Sequence, residues 1–529
     1  MIKMSSFSFI NARRFEMLKG KCTCVSIANE VLERIKMNNP DLNCISQTNP
    51  TLISEAQKLD DLLHSTPISF ESVEYPLLGV PILLKENIVT STQPTSAGVF
   101  ALRDFQTDPD KGNATLVDKL KSAGALIIGK AWMPDFADYM SSTMPSGFSS
   151  ALQGYIIHPY SKGNLKRYDK PKKEFILSEP LNDGEIQYER GGGSSTGVAC
   201  GVSAESGFGI ICGIGTETQN SIQAPVCNTG LVGIKPTLGL VSRHGIVPLA
   251  ISQDTAGPIA RSVYDAAIIL NVISGVDIKG DSITIASCGK LIQDYTSYCC
   301  VPKGKNITIG IPRDFSLWRE KEAYSEHCEI IDKVLRDIKG ASANSNLVFV
   351  DNLTIPTANE VSDLGSSVFR TDFKEGLNTF LTEWSSPGAN SLIRSMNDVV
   401  EFNRSNLSAI PFGMNLLEAA NATTGWEADF KTNASYHADR SRDLVLSQEQ
   451  GIDYCLKENK TVDVLMCPMD RAAKLLGKAG YPAVSVPLGK KYRTSKGEAV
   501  GVTFFGTAWS EDKLIQAAWL FEKSLQTLL

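Results

Sequence analysis

The chain has 529 residues, 42% hydrophobic and 21% charged, with a formal net charge of −6 at pH 7. That length allows one very large domain or several ordinary ones, and that composition buries a large core. The mildly acidic balance excludes a general attraction to nucleic acid or an anionic membrane, and no run approaches eighteen uninterrupted apolar residues.

The opening stretch, MIKMSSFSFINARR, lacks the continuous apolar core of a secretory signal, so a cytoplasmic location is expected. The alternation of short apolar runs with helical patterns predicts an α/β sheet covered by helices. YPLLGVPILLKEN contains a buried-strand run ending at Lys85. NATLVDKLKSAGALIIGKAW reads as a cap at Asn113, an amphipathic helix, a stop at Gly124 and a strand over 125–128. Residues 160–190 mix both signs of charge densely and read as a solvated excursion, with a hairpin about Asn182-Asp183-Gly184. GFGIICGIG, residues 207–215, is a second buried strand, and it runs straight into GTETQNSIQAPV. In ARSVYDAAIILNVISG, Ser262 caps a helix with Asp265 three residues on, and Gly275 stops it. Residues 358–460 read as mainly helical, and 461–529 as a return to the core.

Metal and cofactor chemistry has little support. The twelve cysteines include no C-x-x-C pair, and the five histidines are scattered with no H-E-x-x-H, so no metal and no cofactor are expected. GALIIGK, 124–130, has the outline of a phosphate loop, but its intervening residues are apolar and it ends in Ala131, so it reads as strand.

Two serines compete as nucleophile. GSSTG, 193–197, fits a G-x-S-x-G elbow centred on Ser195, which would need a late histidine, and His437 is the one available. Ser221 lies in a stretch without a neighbouring histidine; His244, in SRHGIVP, is the tempting base but reads more simply as a turn residue. Lys85 is a third candidate, beside the plainer reading of a lysine snorkelling out of a sheet edge. A lysine at the end of a buried strand is desolvated, which lowers its pKa and makes the neutral amine usable as a base.

Five segments occur in order: GVPILLKENI, TSAG at 95–98, GGGSSTG at 191–197, the long block from GTETQNS to GPIARSV, and GYPAVSVPLG. Together they resemble the amidase signature family of serine hydrolases. EFNRSN and FFGTAWSE are similar to the branch that holds bacterial peptide amidases and fungal relatives. The resemblance implies one amidase domain over 1–529, with a large mixed, twisted sheet between helices, that hydrolyses a carboxamide C–N bond. The N-terminal helical part would span about 1–75 and the catalytic core about 76–283. It further implies a Ser-Ser-Lys relay: Ser221 as nucleophile, Lys85 as base, and Ser194 as the bridge, preceded by a cis peptide. Backbone amides of Thr218, Gln219, Asn220 and Ser221 would form the oxyanion hole, with Ser195 supporting the relay and Glu217 bracing the loop. The substrate would be a small-molecule or short-peptide amide.

Departures from the family pattern are also visible. Gln219-Asn220 stand where relatives carry Gly-Gly or Asp-Gly; were φ positive there, asparagine would be the next most tolerant residue. Glu86 replaces an aspartate, and CPMDRAAKLLGKAGYPA is shorter than in peptide-amidase relatives. A catalytically weak amidase-fold binding protein, an esterase using Ser195, and an amidotransferase subunit remain as alternatives.

Overall fold

In this computed structural model the described residues are 8–66, 68–69, 74–144, 149–150, 152, 154–161, 192–302, 304–313, 325–340, 346–363, 366–386, 393–424 and 434–528. Nearly all of the charged excursion at 160–190, including the hairpin expected about 182–184, lies outside them.

One eleven-stranded mixed sheet organises the chain. Its strands in chain order are β1 (Ile45–Thr48), β2 (Pro81–Lys85), β3 (Leu126–Ala131), β6 (Cys212–Glu217), β7 (Val232–Lys235), β8 (Thr255–Ala260), β9 (Ile307–Pro312), β10 (Leu347–Leu353), β11 (Val464–Pro468), β12 (Ala483–Pro487) and β13 (Gly501–Phe505). The short pair β4 (Ser149–Ser150) and β5 (Gly154–Tyr155) forms a separate ribbon. The order across the large sheet is β1-β3-β2-β6-β8-β7-β12-β13-β11-β9-β10. β2 runs parallel to both β3 and β6, whereas β6 pairs antiparallel with β8.

The central strands β2, β3, β6, β8, β11 and β13 are buried at every position, as expected for a sheet with helices on both faces. Successive side chains point to opposite faces. Ile82 and Leu84 therefore enter one core cluster, and Leu83 enters another with Val198, Ala199 and Val202 of the helix Thr196–Val202. The same alternation turns Lys85 to the Leu83 side, toward the start of that helix.

Several sequence expectations hold. The 124–130 motif is strand, and Ser262 caps the helix Val263–Ile273 by accepting from the Asp265 N–H. The 358–460 region is built from helices, among them Ser367–Trp384, Met396–Ser405, Asn415–Asn421 and Ala434–Ser447. Asn113 is not a cap. The helix Thr115–Ser122 begins after Ala114 without a side-chain cap, because Asn113 accepts from Ser91 and donates to Asp118 instead. Among the described residues no helix is long and apolar enough to cross a membrane.

Glycines on β6 let the helix 196–202 sit close to the sheet. A Cβ on Gly213 would lie 2.3 Å from Val198 Cγ1 and 3.0 Å from the Leu83 carbonyl. Valine is stiff at χ1 and the backbone cannot withdraw, so Gly213→Ala should destabilise the fold by about 1–3 kcal/mol. Urea denaturation checks this: the midpoint should fall with an unchanged m value.

Candidate active site

The site is assembled where β2 and β6 end beside the first turn of the helix Thr196–Val202. Lys85 is the last residue of β2, and its side chain is fully buried. Its Nζ lies 2.6 Å from Ser194 Oγ, 2.9 Å from Thr216 Oγ1 and 3.0 Å from the Thr216 carbonyl. Among the described residues no carboxylate bonds it. Burial therefore outweighs the attraction of Asp138, Asp254 and Glu217, and the Lys85 pKa is pushed down to about 7.

Lys85 is not the sole buried lysine, and the comparison is informative. Lys130 and Lys235 are also fully buried, each with a pKa lowered to about 8. Lys130 donates to the Pro94 carbonyl and Thr95, and Lys235 to the Tyr481 carbonyl. Only Lys85 among these meets a serine.

Ser195 follows immediately. Its hydroxyl donates to the Thr216 carbonyl at 3.1 Å and accepts from the Thr216 N–H at 3.3 Å. Its own N–H donates to the Ser221 carbonyl at 3.1 Å, which ties the Ser194-Ser195 segment to Ser221. Ser221 itself is 7% exposed, whereas Lys85, Ser194 and Ser195 are all at 0%. Of these residues Ser221 alone keeps any exposure.

The loop between β6 and the helix Gln223–Thr229 is held from several sides. The Glu217 carboxylate accepts from the Ile222 N–H at 2.6 Å, from the Gln223 N–H at 2.8 Å and from the Gln223 side chain. Thr218 Oγ1 donates to Asp254 at 2.6 Å, and Asp254 also accepts from the Leu249 and Ala250 N–H groups. Asn220 Nδ2 donates to Asp470 at 3.4 Å. The N–H groups of Thr218, Gln219, Asn220 and Ser221 have no acceptor among the described residues. Four donors thus lie free beside one accessible serine.

A match to the family model described as Amidase spans residues 26–166 and 178–515. The chain belongs to the amidase family. A protein of Arabidopsis thaliana named as an amidase is 30% identical over 517 residues, covering 95% of this chain and 87% of its own. A Schizosaccharomyces pombe protein, likewise named as an amidase, is 30% identical over 539 residues, covering 96% and 84%. The solved peptide amidase of Stenotrophomonas maltophilia matches with a TM-score of 0.80 at 29% identity, over 99% of this chain and 98% of that one. This amidase is an amide hydrolase acting on C–N bonds, with the single α/β domain and large mixed sheet of that structure.

The eight residues singled out from the sequence (Lys85, Ser194, Ser195, Glu217, Thr218, Gln219, Asn220 and Ser221) all fall in this one neighbourhood. The elbow reading fares less well. Among the described residues the Ser195 hydroxyl bonds only Thr216, with no histidine among its partners. His244 lies instead against Thr115 and the Trp384 ring.

One backbone expectation is corrected. No cis peptide occurs among the described residues, so the Gly193–Ser194 bond is trans. Gly193 is required for space instead: a Cβ there would lie 2.6 Å from the Asn220 carbonyl oxygen and 2.7 Å from Ser221 Cα. Gln219 and Asn220 are absent from the positive-φ residues, so side chains replace glycine there without backbone strain. Residues missed from the sequence are Thr216, Asn87, Asp254 and Asp470. Asn87 donates to Thr216 Oγ1 at 3.1 Å, and its position two residues past Lys85 was the available signal. Asp254 and Asp470 arrive from distant segments with none.

Gly193→Ala would force the bridge segment and the serine loop apart. It should lower kcat/KM by at least about tenfold, since an ångström of misplacement at a reacting centre costs that or more. Steady-state ammonia release, beside a circular dichroism spectrum of the native form, measures it.

Proposed function

We propose that this amidase cleaves a carboxamide through an acyl-enzyme on Ser221, with Ser194 and Lys85 moving the proton. The observation that carries the reading is the 2.6 Å contact between Lys85 Nζ and Ser194 Oγ, in a pocket that gives the amine no carboxylate partner. An ammonium would use all three N–H bonds on the three surrounding oxygens. The neutral amine has two N–H bonds and a lone pair, so one contact must reverse. The Thr216 carbonyl cannot donate, so a hydroxyl must, and the proposed relay takes Ser194 Oγ, the nearest of the three oxygens at 2.6 Å, as the donor into the lone pair.

The chemistry follows from that direction. Lys85 takes the Ser194 proton as Ser194 takes the proton of Ser221. Ser221 Oγ bonds to the substrate carbonyl carbon, and the carbonyl electron pair moves onto oxygen. The free N–H groups of residues 218–221 receive that oxyanion, the kind of preorganised donor array that stabilises developing charge. When the pair returns, the C–N bond breaks and the amine leaves with the proton held by Lys85, passed back through Ser194. Water repeats the path to release the acid. Glu217, braced against Ile222 and Gln223, fixes the loop that carries Ser221.

The substrate is a carboxamide of a small molecule or short peptide. The likeness to a peptide amidase supports including C-terminally amidated peptides beside simple primary amides in the assay.

Ser221→Ala should reduce ammonia release by at least ~10³-fold while the melting curve stays in place. Retained turnover would remove Ser221 from the reaction. Replacing Lys85 with methionine, which keeps the volume but removes the base, should cost at least ~10²-fold.

The pH dependence has a definite sign. Below its pKa, Lys85 is an ammonium and cannot accept a proton; above it, the free amine can. The value of about 7 therefore predicts that kcat/KM rises with pH through the neutral region and levels off in the alkaline range. A profile that falls on that side would contradict a lysine base. Incubation with a chelator should leave the rate unchanged, since no step of this relay is routed through a metal.

A further inference from the structure

We infer that Asp470 is a positioning residue for catalysis, acting through the side chain of Asn220. The inference rests on the reading of residues 218–221 as the oxyanion-binding loop and assigns that loop an anchor from a distant part of the chain.

Asn220 occupies a demanding position. Its N–H is one of the four free donors, and its carbonyl accepts the Ala224 N–H at 3.0 Å, opening the helix Gln223–Thr229. The same carbonyl lies against Gly193. Rotation of residue 220 would therefore misdirect a donor, loosen the helix start and push on the bridge segment together. Besides that backbone bond to Ala224, the side chain adds a second hold: Asn220 Nδ2 donates to Asp470 Oδ2 at 3.4 Å.

Asp470 is itself held firmly. Met469, just before it, has φ 48, a left-handed conformation uncommon for a side-chain-bearing residue. That turn is over-determined: the Met469 N–H donates to the Gly501 carbonyl at 3.0 Å, and Thr503 Oγ1 donates to the Met469 carbonyl. The Asp470 carbonyl then accepts from Ala473 at 2.9 Å, where the helix Ala473–Ala479 begins. Strained backbone of this kind persists where surrounding contacts hold it, and it concentrates at functional sites. The helix reaches the loop a second time. A Cβ on Gly477 would lie 2.4 Å from the Thr218 carbonyl oxygen and 3.2 Å from Gln219 Cα. The segment 469–477 thus backs the serine loop, and its Asp470 carboxylate accepts from the Asn220 side chain.

An exchange of roles tests this. N220D sets two carboxylates against each other and should lower kcat/KM by about tenfold or more at pH 8, mostly in kcat. D470N alone keeps an acceptor oxygen, so its loss should be smaller than that of N220D. The double variant N220D/D470N restores an amide–carboxylate pair with the roles reversed, and its kcat/KM should return to within about threefold of the parent. The affinity of a peptide aldehyde, which forms a tetrahedral adduct on the nucleophile, should follow the same order. A double variant no better than N220D, or an N220D enzyme of full activity, overturns the inference. If N220D does not fold, the N220A and D470A pair serves. A double alanine no worse than the poorer single supports coupling, and multiplied losses overturn it. Failure of the underlying reading has a different signature, turnover retained by S221A. An inactive S221A with no rescue in the exchanged pair defeats this inference alone.

Discussion

Everything at this site depends on a lysine buried where no carboxylate bonds it. Surface lysines are ammonium ions because water and nearby acids stabilise the charge. Lys85 has neither. Its neighbours at bonding distance are two hydroxyls and a carbonyl, and the acids that attract it, Asp138, Asp254 and Glu217, are not bonded to it. The cost of keeping a charge in that environment is what lowers its pKa to about 7. The sheet provides the environment: β2 is interior, flanked by parallel β3 and β6, and the helix Thr196–Val202 covers the face toward which Lys85 turns.

The same packing explains the concentration of glycines. Gly213 and Gly215 bring β6 close to that helix, where a Cβ on Gly215 would lie 2.8 Å from Ser195 Oγ. Gly193 lets the bridge segment touch the serine loop. Side-chain volume has been removed at each place where two backbones must come together. The hydroxyls of Ser194 and Ser195 are consequently held between strand and loop, while Ser221 keeps its limited exposure. Rigid elements, not a flexible loop alone, set the geometry of the proposed relay.

Much of this was legible in the amino-acid sequence, for physical reasons that differ by segment. The strand ending at Lys85 was visible because a continuous apolar run has few alternatives, and the capped helix after Ser262 because its hydrogen bond is local. The grouping of Lys85, Ser194 and Ser221 was visible only through the family resemblance, since their contacts join residues far apart in sequence. Other features were beyond reach. Asn113 has the chemistry of a cap but is diverted by Ser91 and Asp118, a choice made by tertiary contacts. The cis peptide that the resemblance implies before Ser194 is absent, and the glycine at 193 is a matter of space beside Asn220 and Ser221. Asp254 and Asp470 carry no local signal, because their roles exist only once the β8 and β11 ends are brought to the serine loop.

The central claim is that Ser221 is activated by Lys85 through Ser194. The most direct measurement is the site and rate of labelling by a fluorophosphonate probe, mapped by peptide mass spectrometry across pH. The adduct should sit on Ser221, its rate of formation should rise through about pH 7, and labelling should collapse when Lys85 is replaced. An adduct on Ser195, or labelling of Ser221 at an undiminished rate without Lys85, would contradict the account.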